Sequence, residues 1–234
     1  TDRGFDEDGS FWEYRTACLN AGSDIWIAPG HAVVLPGYPP NGELQLTGWT
    51  TNGNNLHPDG WSANESLRFM DQHAGPSGDG KPFFCIYAPW GPHNPLVPTG
   101  IADPIDFAHL FDPATIQLPP NFGKIASNSR LLYLQAQYAT VTLPLWKQAL
   151  ALYYGYIAQI DWNVGRLLDR LDQLGIADRT VVIYTADHGE MGSEMSCWSK
   201  GAGNYDAVCK VPLLMRLPGT IPAGRVVDRL VNNI

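Results

Sequence analysis

Hydrophobic and polar positions follow two different patterns along the chain. Residues 1–60 are rich in Gly, Pro, Asn and Trp, and they contain only short strand-like pieces such as residues 43–49. Long stretches of this composition form elaborated loops. From residue 61 onward, apolar runs alternate with stretches of helical periodicity, which is typical of α/β domains. We therefore expect a loop-rich region at 1–60 and an α/β core portion at 61–234.

Three features predict the first elements of this core portion. Ser62 and Glu65 have the spacing of a capping box, which predicts a helix that begins there. The run FFCIYA, residues 83–88, is continuously apolar, so it is predicted to be a central strand buried on both faces. The loop after it is rich in Pro and contains His93. Residues 98–130 are interrupted by Pro and are predicted to form a long surface excursion.

The next segment has the apolar stripe of a helix of about 25 residues, which Gly175 is predicted to end. The β-branched and aromatic run at 180–186 predicts a second buried strand. The order strand, excursion, long helix, strand suits parallel strands joined by right-handed crossovers. The predicted fold class is thus α/β, with a mostly parallel sheet flanked by helices. The stripe consists of Tyr153, Ile157, Ile160, Val164, Leu167, Leu171 and Leu174.

Chemistry-bearing side chains follow both predicted strands. Asp187 and His188 come directly after the second strand, and His93 follows the first. Ligands of parallel sheets bind beyond the carboxyl ends of the strands, so these residues are candidates for one site. Each also has a structural alternative, because a His between prolines often stabilises its loop and an Asp-His-Gly sequence often forms a turn.

Composition and charge exclude several classes of protein. The chain has 234 residues, of which 44% are hydrophobic and 16% charged, as in globular proteins. Its net charge of −8 argues against a partner such as nucleic acid or an anionic membrane surface. No apolar run approaches the roughly 20 residues that span a bilayer, so no membrane span is expected.

The cysteines predict neither a zinc site nor a disulfide framework. None of the four has the spacing of a zinc motif, and Cys85 is expected to be a buried, inert thiol. Cys197 and Cys209 could pair, although a reducing cytosol would keep them as thiols. The chain begins without Met and closes within an apolar-polar pattern, so we expect both ends to be cuts and the chain to be a fragment. Its localisation therefore stays unknown.

Four stretches together resemble the sulfatase family of the alkaline phosphatase superfamily. They are KPFFCIYAPWGPH, IDWNVGRLLDRLDQLGIADR, TVVIYTADHGEMGSEMSCWSKG and VPLLMRLPGTIPAGRVVDRLV. The resemblance implies that Asp187 and His188 contribute to a divalent metal site, usually calcium, with manganese or magnesium as alternatives. It also implies that Lys200 binds the anionic group of the ester and that His93 lies near the leaving-group oxygen.

These residue types suit the hydrolysis of a small-molecule or sugar sulfate ester. A hard cation held by Asp187 polarises a non-leaving oxygen. The Lys200 ammonium neutralises the sulfuryl oxygens, and electrostatic stabilisation of this kind is usually the largest catalytic term. An imidazole at His93 can protonate the departing alkoxide, because imidazoles titrate near neutral pH.

The chain also departs from the family pattern. No Cys here begins the C-x-P-S-R or C-x-A-S-R run in which the family's nucleophile is modified to formylglycine, and the paired Asp-Asp of the metal site is not found. Many relatives have GDH where this chain has Gly192-Ser193-Glu194. We expect formylglycine in a missing amino-terminal segment of the same polypeptide, and we expect this chain alone to be inactive.

Two alternatives remain open. A phosphodiester or phosphonate monoester hydrolase of the same superfamily would use the same metal and lysine. A protein of another class, without catalysis, would bind sugars or aryl groups through aromatic stacking. Its candidate residues are Trp12, Trp26, Trp49 and Trp61.

Overall fold

A computed structural model describes residues 18, 20, 33–35, 45–74, 78, 81–200 and 204–232 of the chain. It divides into two compact units, Thr1–Gln117 with Thr140–Leu167 (unit 1) and Leu118–Ala139 with Leu168–Ile234 (unit 2). The helices are α1 (Pro58–Ala74), α2 (Ser129–Gln137), α3 (Leu143–Gln173) and α4 (Asp206–Cys209). The strands are β1 (Val33–Leu35), β2 (Gln45–Thr47), β3 (Val182–Thr185) and β4 (Leu213–Arg216). Short 3₁₀ turns lie at Asn54–Leu56, Pro113–Thr115, Ala177–Arg179 and Glu194–Ser196.

The strands form two small antiparallel sheets in the described part of the chain. β1 pairs with β2, and β3 pairs with β4 with Val182 opposite Arg216. A parallel contact is found at the isolated bridge between Thr50 and Thr99. The mostly parallel sheet is therefore not confirmed. An apolar run indicates burial, but it carries no information about the direction of the strand with which it pairs.

The two apolar runs expected as buried central strands are more exposed than predicted. Residues 83–88 are not assigned to a strand, and Phe84 is 73% exposed. Residues 182–185 do form β3, but Ile183 is 57% exposed. A strand is buried on both faces only when other elements cover both faces. Among the described residues, β3 has one partner strand and residues 83–88 have none.

Helix α1 begins at Pro58, four residues before the predicted start at Ser62. Proline suits the first helical position, since its fixed φ is helical and its missing N–H is not needed there. Ser62 lies inside the helix, where its carbonyl accepts the Ser66 hydroxyl at 3.0 Å. Glu65 pairs with Arg68 at 2.9 Å. The predicted capping box is therefore wrong, because both of its side chains belong to the helix interior.

Helix α3 is longer than predicted at its amino-terminal end, and it ends where the sequence indicates. Gly175 has a φ of 65°, and its N–H donates to the Asp172 carbonyl at 3.0 Å. The Ile176 N–H donates to the Leu171 carbonyl at 3.1 Å. These bonds satisfy the last carbonyls of the helix, and glycine takes the left-handed conformation without strain. Of the predicted stripe, Ile160, Leu167 and Leu171 are buried, whereas Ile157 is 39% exposed.

The core of unit 1 combines apolar side chains of α3 with a buried network of amides. Asn163 and Gln159 lie on α3 and both donate to Asn54 Oδ1, at 3.2 and 3.3 Å. The Thr99 N–H donates to Gln159 Oε1 at 3.0 Å. All four residues are buried. The apolar side chains of α3 buried here are Trp146, Ala149, Leu150, Ala151, Leu152, Tyr156, Ile160 and Leu167.

The predicted surface excursion at 98–130 is only partly exposed. It has no helix or strand apart from a short 3₁₀ turn and the first residues of α2, as expected. Its side chains Phe107 and Ile116 are nevertheless buried. A segment rich in Pro can follow an irregular path and still supply apolar side chains to a core.

The core of unit 2 joins α2 to the loop that follows β3. Asn128 caps α2, since its Oδ1 accepts the Leu131 N–H at 2.8 Å. Leu131 and Leu134 of this helix pack with Met191 of the loop and with buried Cys197. The loop that carries the predicted site residues is thus fixed by apolar packing.

The described cysteines are free thiols, so Cys197 and Cys209 do not pair. Cys85 is half-buried, and burial raises the pKa of its thiol, which agrees with an inert residue. No helix in the described ranges is long and apolar enough to cross a membrane.

Candidate active site

Asp187 and His188 form a compact pair two residues after β3. The Asp187 side chain is 84% exposed, and its Oδ1 accepts the backbone N–H of His188 at 2.8 Å. The imidazole Nδ1 of His188 lies 2.9 Å from the Gly189 carbonyl oxygen, and Nε2 lies 3.4 Å from Asp187 Oδ2. The strand therefore delivers a carboxylate and an imidazole to one point on unit 2.

The donor atoms of this pair fit a divalent cation. A proton on Nδ1 of His188 is donated to the Gly189 carbonyl, which leaves Nε2 as the ring atom that faces Asp187. Histidine ligands of metals usually donate their other ring N–H in this way. In the parts of the chain that the structure describes, no group of three or more His, Cys, Asp or Glu side chains lies together as a metal site. Asp187 and His188 are therefore two candidate ligands and not a complete ligand set.

The loop after His188 folds back on itself before it reaches Lys200. The Ser193 N–H donates to the Cys197 carbonyl at 2.9 Å, and the Met191 N–H donates to the Ser199 carbonyl at 3.3 Å. Ser193, Met195, Ser196 and Ser199 have positive φ angles, which non-glycine residues adopt at an energetic cost. Buried Met191 and Cys197 hold this strained path in place.

Glu190 lies where the two ends of this loop meet. Its carboxylate lies close to the backbone N–H groups of Met191, Gly192 and Ser199, and it interacts electrostatically with Lys200. Burial raises the pKa of Glu190, whereas Lys200 and the three N–H groups oppose that rise. Its Oε1 has no hydrogen-bond partner among the described residues. Glu190 was not predicted as a site residue, although a carboxylate directly after Asp-His-Gly was the available signal.

Lys200 belongs to the same unit as Asp187 and His188, and its side chain is half-buried. Its charge is partly balanced by Glu190. Unit 2 therefore carries three of the four predicted site residues on one continuous stretch of chain.

His93, the fourth predicted residue, belongs to unit 1. Its N–H donates to the Trp90 carbonyl at 3.2 Å, which closes a turn, and the two rings lie 5.3 Å apart between centroids in an edge-on arrangement. The imidazole is exposed, and its Nδ1 lies 2.6 Å from the Asn94 carbonyl oxygen. A proton on Nδ1 is donated to that carbonyl, so Nε2 is the ring atom available to a substrate.

Of the alternative binding residues, Trp12 and Trp26 lie outside the described residues. Trp49 and Trp61 are half-buried in unit 1, and the Trp49 ring packs edge-on against His109 at 4.9 Å between centroids. These two side chains therefore do not present fully exposed aromatic rings for stacking.

Comparison with known proteins places the chain among hydrolases of one family. The protein-family model described as Sulfatase matches residues 3–234 of this chain. An arylsulfatase from Clostridium perfringens is 30% identical over 183 residues, which cover 73% of this chain and 34% of the relative. The human iduronate 2-sulfatase is 26% identical over 69% of this chain and 31% of its own length. The chain thus spans about a third of the length of these curated relatives.

Solved structures show the same type of fold. A phosphonate monoester hydrolase from Silicibacter pomeroyi matches 89% of this chain and 42% of its own, with a TM-score of 0.67 and 23% identity. The corresponding hydrolase from Agrobacterium radiobacter also matches 89%, with a TM-score of 0.64 and 25% identity. A structure in complex with its substrate D-glucosamine-2-N,6-O-disulfate matches 87% of this chain at 18% identity, with a TM-score of 0.54.

Proposed function

The chain belongs to the sulfatase family, and from this premise we propose that it is the central and carboxyl-side part of the catalytic domain of a sulfuric ester hydrolase. The observation that carries the proposal is the segment from β3 to Lys200. Within one unit it presents a carboxylate, an imidazole and an ammonium group on a loop fixed by packing. A site for a cation and for an oxyanion needs these groups.

Asp187 and His188 are the residues of this chain that would hold a divalent cation. Calcium is the first expectation, with manganese or magnesium as alternatives, because a carboxylate oxygen is a hard ligand. When bound, such a cation supplies positive charge that polarises an oxygen of the ester.

Lys200 has the role of binding the sulfuryl oxygens. Its ammonium group is a compact charge with three donors, and it interacts electrostatically with Glu190. A cationic group held in place before the reaction stabilises developing negative charge without reorganisation.

His93 has the role of general acid. With Nδ1 turned to the Asn94 carbonyl, Nε2 is the atom that would hold the proton and pass it to the leaving oxygen. The substrate class is then a small-molecule or sugar sulfate ester, and the nucleophile, a formylglycine, comes from a segment amino-terminal to this chain.

Hydrolysis of phosphonate monoesters is the second candidate. It is favoured by the similarity to the Agrobacterium radiobacter enzyme, whose TM-score exceeds that of the disulfated-sugar complex. A cation and a lysine neutralise PO₃ oxygens as well as SO₃ oxygens, so the described residues do not distinguish the two esters.

A comparison of kcat/KM for three substrates, measured on the complete enzyme, tests the proposal. An aryl sulfate, a phosphonate monoester and a phosphodiester are assayed with calcium or manganese, and the largest kcat/KM is expected for the sulfate. A larger value for the phosphonate monoester would establish the second candidate instead.

The isolated 234-residue chain is expected to show no turnover, since the nucleophile is needed for the covalent intermediate. Activity that co-purifies with the chain and disappears in Lys200→Ala would contradict the proposed division of roles.

The general acid role has its own test. His93→Ala should slow an ester with a poor leaving group by about 100-fold or more, and an activated aryl ester much less, because a good leaving group needs little protonation. Equal losses would show that His93 only stabilises its loop.

A further inference from the structure

Asp59, at the start of α1, is a fully buried carboxylate that the roles above do not use. Its Oδ1 accepts the Trp90 N–H at 2.6 Å, and its Oδ2 accepts the Gly91 N–H at 3.1 Å. Two consecutive backbone N–H groups are therefore bound by one side chain. Hydrogen bonds to a charged acceptor are about twice as strong as neutral ones.

His57 binds the other end of the same loop. Its Nδ1 accepts the Asp59 N–H at 3.2 Å, so the ring proton lies on Nε2, which donates to the Val97 carbonyl at 3.0 Å. Burial lowers the pKa of His57, and Asp59 and the Val97 carbonyl only partly oppose this effect, which agrees with a neutral ring. Residues 90–97 are thus held near both ends by side chains of the sequence His57-Pro58-Asp59.

Close packing surrounds the bound turn at Gly91. A side chain on Gly91 would meet the Tyr156 ring and would lie 2.7 Å from Asp59 Oδ2. The Tyr156 ring also packs edge-on against His57, at 5.4 Å between centroids. The backbone at Gly91 therefore sits directly against the two side chains that surround it.

We propose that Asp59 is a positioning residue for His93. The inference rests on the proposed general acid role of His93. Asp59 fixes the orientation of the peptide groups at Trp90 and Gly91, and the Trp90 carbonyl in turn accepts the His93 N–H at 3.2 Å. Only one turn of chain separates the buried carboxylate from the exposed imidazole. A proton donor must lie within hydrogen-bond reach of the leaving oxygen, so a shift of this turn lowers its efficiency.

Asp59→Asn is the informative substitution, because it keeps the shape of the side chain and changes one acceptor. The amide presents its NH₂ group to one of the two backbone N–H groups, and two donors then face each other. One hydrogen bond is lost, so the turn is held less firmly, whereas no apolar side chain is replaced. Asp71→Asn is the matched control, since Asp71 is an exposed carboxylate on the same helix.

Kinetics and hydrogen exchange on the complete enzyme test the inference together. We expect Asp59→Asn to slow hydrolysis of a poor-leaving-group sulfate by about 10-fold or more and that of an activated aryl sulfate by less than about 3-fold. The double variant Asp59→Asn/His93→Ala should be no slower than His93→Ala alone, since both changes remove the same proton transfer. Amide exchange measured by mass spectrometry should accelerate in residues 90–97 of Asp59→Asn and stay unchanged in Asp71→Asn.

The outcomes separate the two claims. Equal slowing of both esters by Asp59→Asn, or losses that add to those of His93→Ala, would overturn the positioning role. If His93→Ala itself slows both esters equally, the general acid assignment fails. Unchanged exchange at residues 90–97 would overturn the positioning role whatever the kinetics show, because Asp59 would then not hold the turn.

Discussion

The Nε2 atom of His188 lies 3.4 Å from Oδ2 of Asp187, directly beyond the end of β3. With the Nδ1 proton donated to the Gly189 carbonyl, Nε2 is the ring atom that faces the carboxylate. A cation bound between the two side chains would take these same atoms as ligands.

The first prediction concerns this metal. Calorimetry on the isolated chain should show calcium binding weaker than micromolar, because two ligands do not complete the coordination of about six to eight oxygens that calcium takes. The complete enzyme should bind calcium much more tightly, and Asp187→Asn should weaken that binding. Asp178→Asn, an exposed carboxylate of the same unit, serves as the control. Micromolar affinity in the isolated chain would contradict the expectation.

Helical periodicity predicted the elements of this chain better than apolar runs did. The end of α3 at Gly175 follows from local chemistry, since a glycine after the last apolar position provides the left-handed conformation. The start of α1 was predicted wrongly, because Ser62 and Glu65 have the spacing of a capping box although the helix begins at Pro58. Burial of β3 was overestimated, since burial depends on what covers a strand and not on the strand alone.

The candidate site was predicted less from pattern than from resemblance. Asp187 and His188 follow a strand as predicted, but β3 pairs antiparallel with β4, so the expected rim of parallel strands is not confirmed. Lys200 and His93 have no periodic signal, and their roles rest on the family likeness. Glu190 and Asp59 were not predicted, because the pattern of hydrophobic positions does not indicate which carboxylates are buried against backbone N–H groups.

A second prediction uses the buried His57. Its pKa in the folded protein lies below the ordinary value of 6.5, so the unfolded chain takes up this proton first as the pH falls. The contribution of His57 to the free energy of unfolding is therefore complete above about pH 6.5 and decreases below it, by up to about 1.4 kcal/mol per pH unit. Urea unfolding at about pH 7.5 and about pH 5.5 should show a smaller decrease in His57→Gln than in the wild type. His109→Gln is the exposed-histidine control. Equal decreases in the wild type and His57→Gln would mean that the pKa of His57 is the same in the folded and unfolded states.

A third prediction compares two glycines of unit 1. Gly91→Ala should lower the free energy of unfolding by about 2 kcal/mol or more, because the new Cβ would collide with Tyr156 and Asp59. Gly165→Ala, within α3 and facing open space, should raise it by about 0.5–1 kcal/mol, since alanine restricts the unfolded chain and favours the helix. Thermal unfolding of the two variants gives the comparison. A Gly91→Ala variant as stable as the wild type or more stable would show that the packing around Gly91 is looser than described.

The last prediction concerns the buried amides of unit 1, where Gln159 connects α3 to two other segments. Its Oε1 accepts the Thr99 N–H at 3.0 Å, and its Nε2 donates to Asn54 Oδ1 at 3.3 Å. Gln159→Leu preserves the approximate volume but leaves both partners with one hydrogen bond fewer inside the core. We expect a loss of about 2–4 kcal/mol in the free energy of unfolding, since an unsatisfied buried polar group costs about 1–3 kcal/mol.

Gln173→Leu, at the exposed end of the same helix, is the matched control and should change stability by less than about 0.5 kcal/mol. If denaturant unfolding gave the same small change for both variants, the amides around Asn54 would contribute specificity to the fold rather than stability. A loss confined to Gln159→Leu would show that satisfied polar groups, which an apolar pattern cannot reveal, stabilise the unit that carries His93.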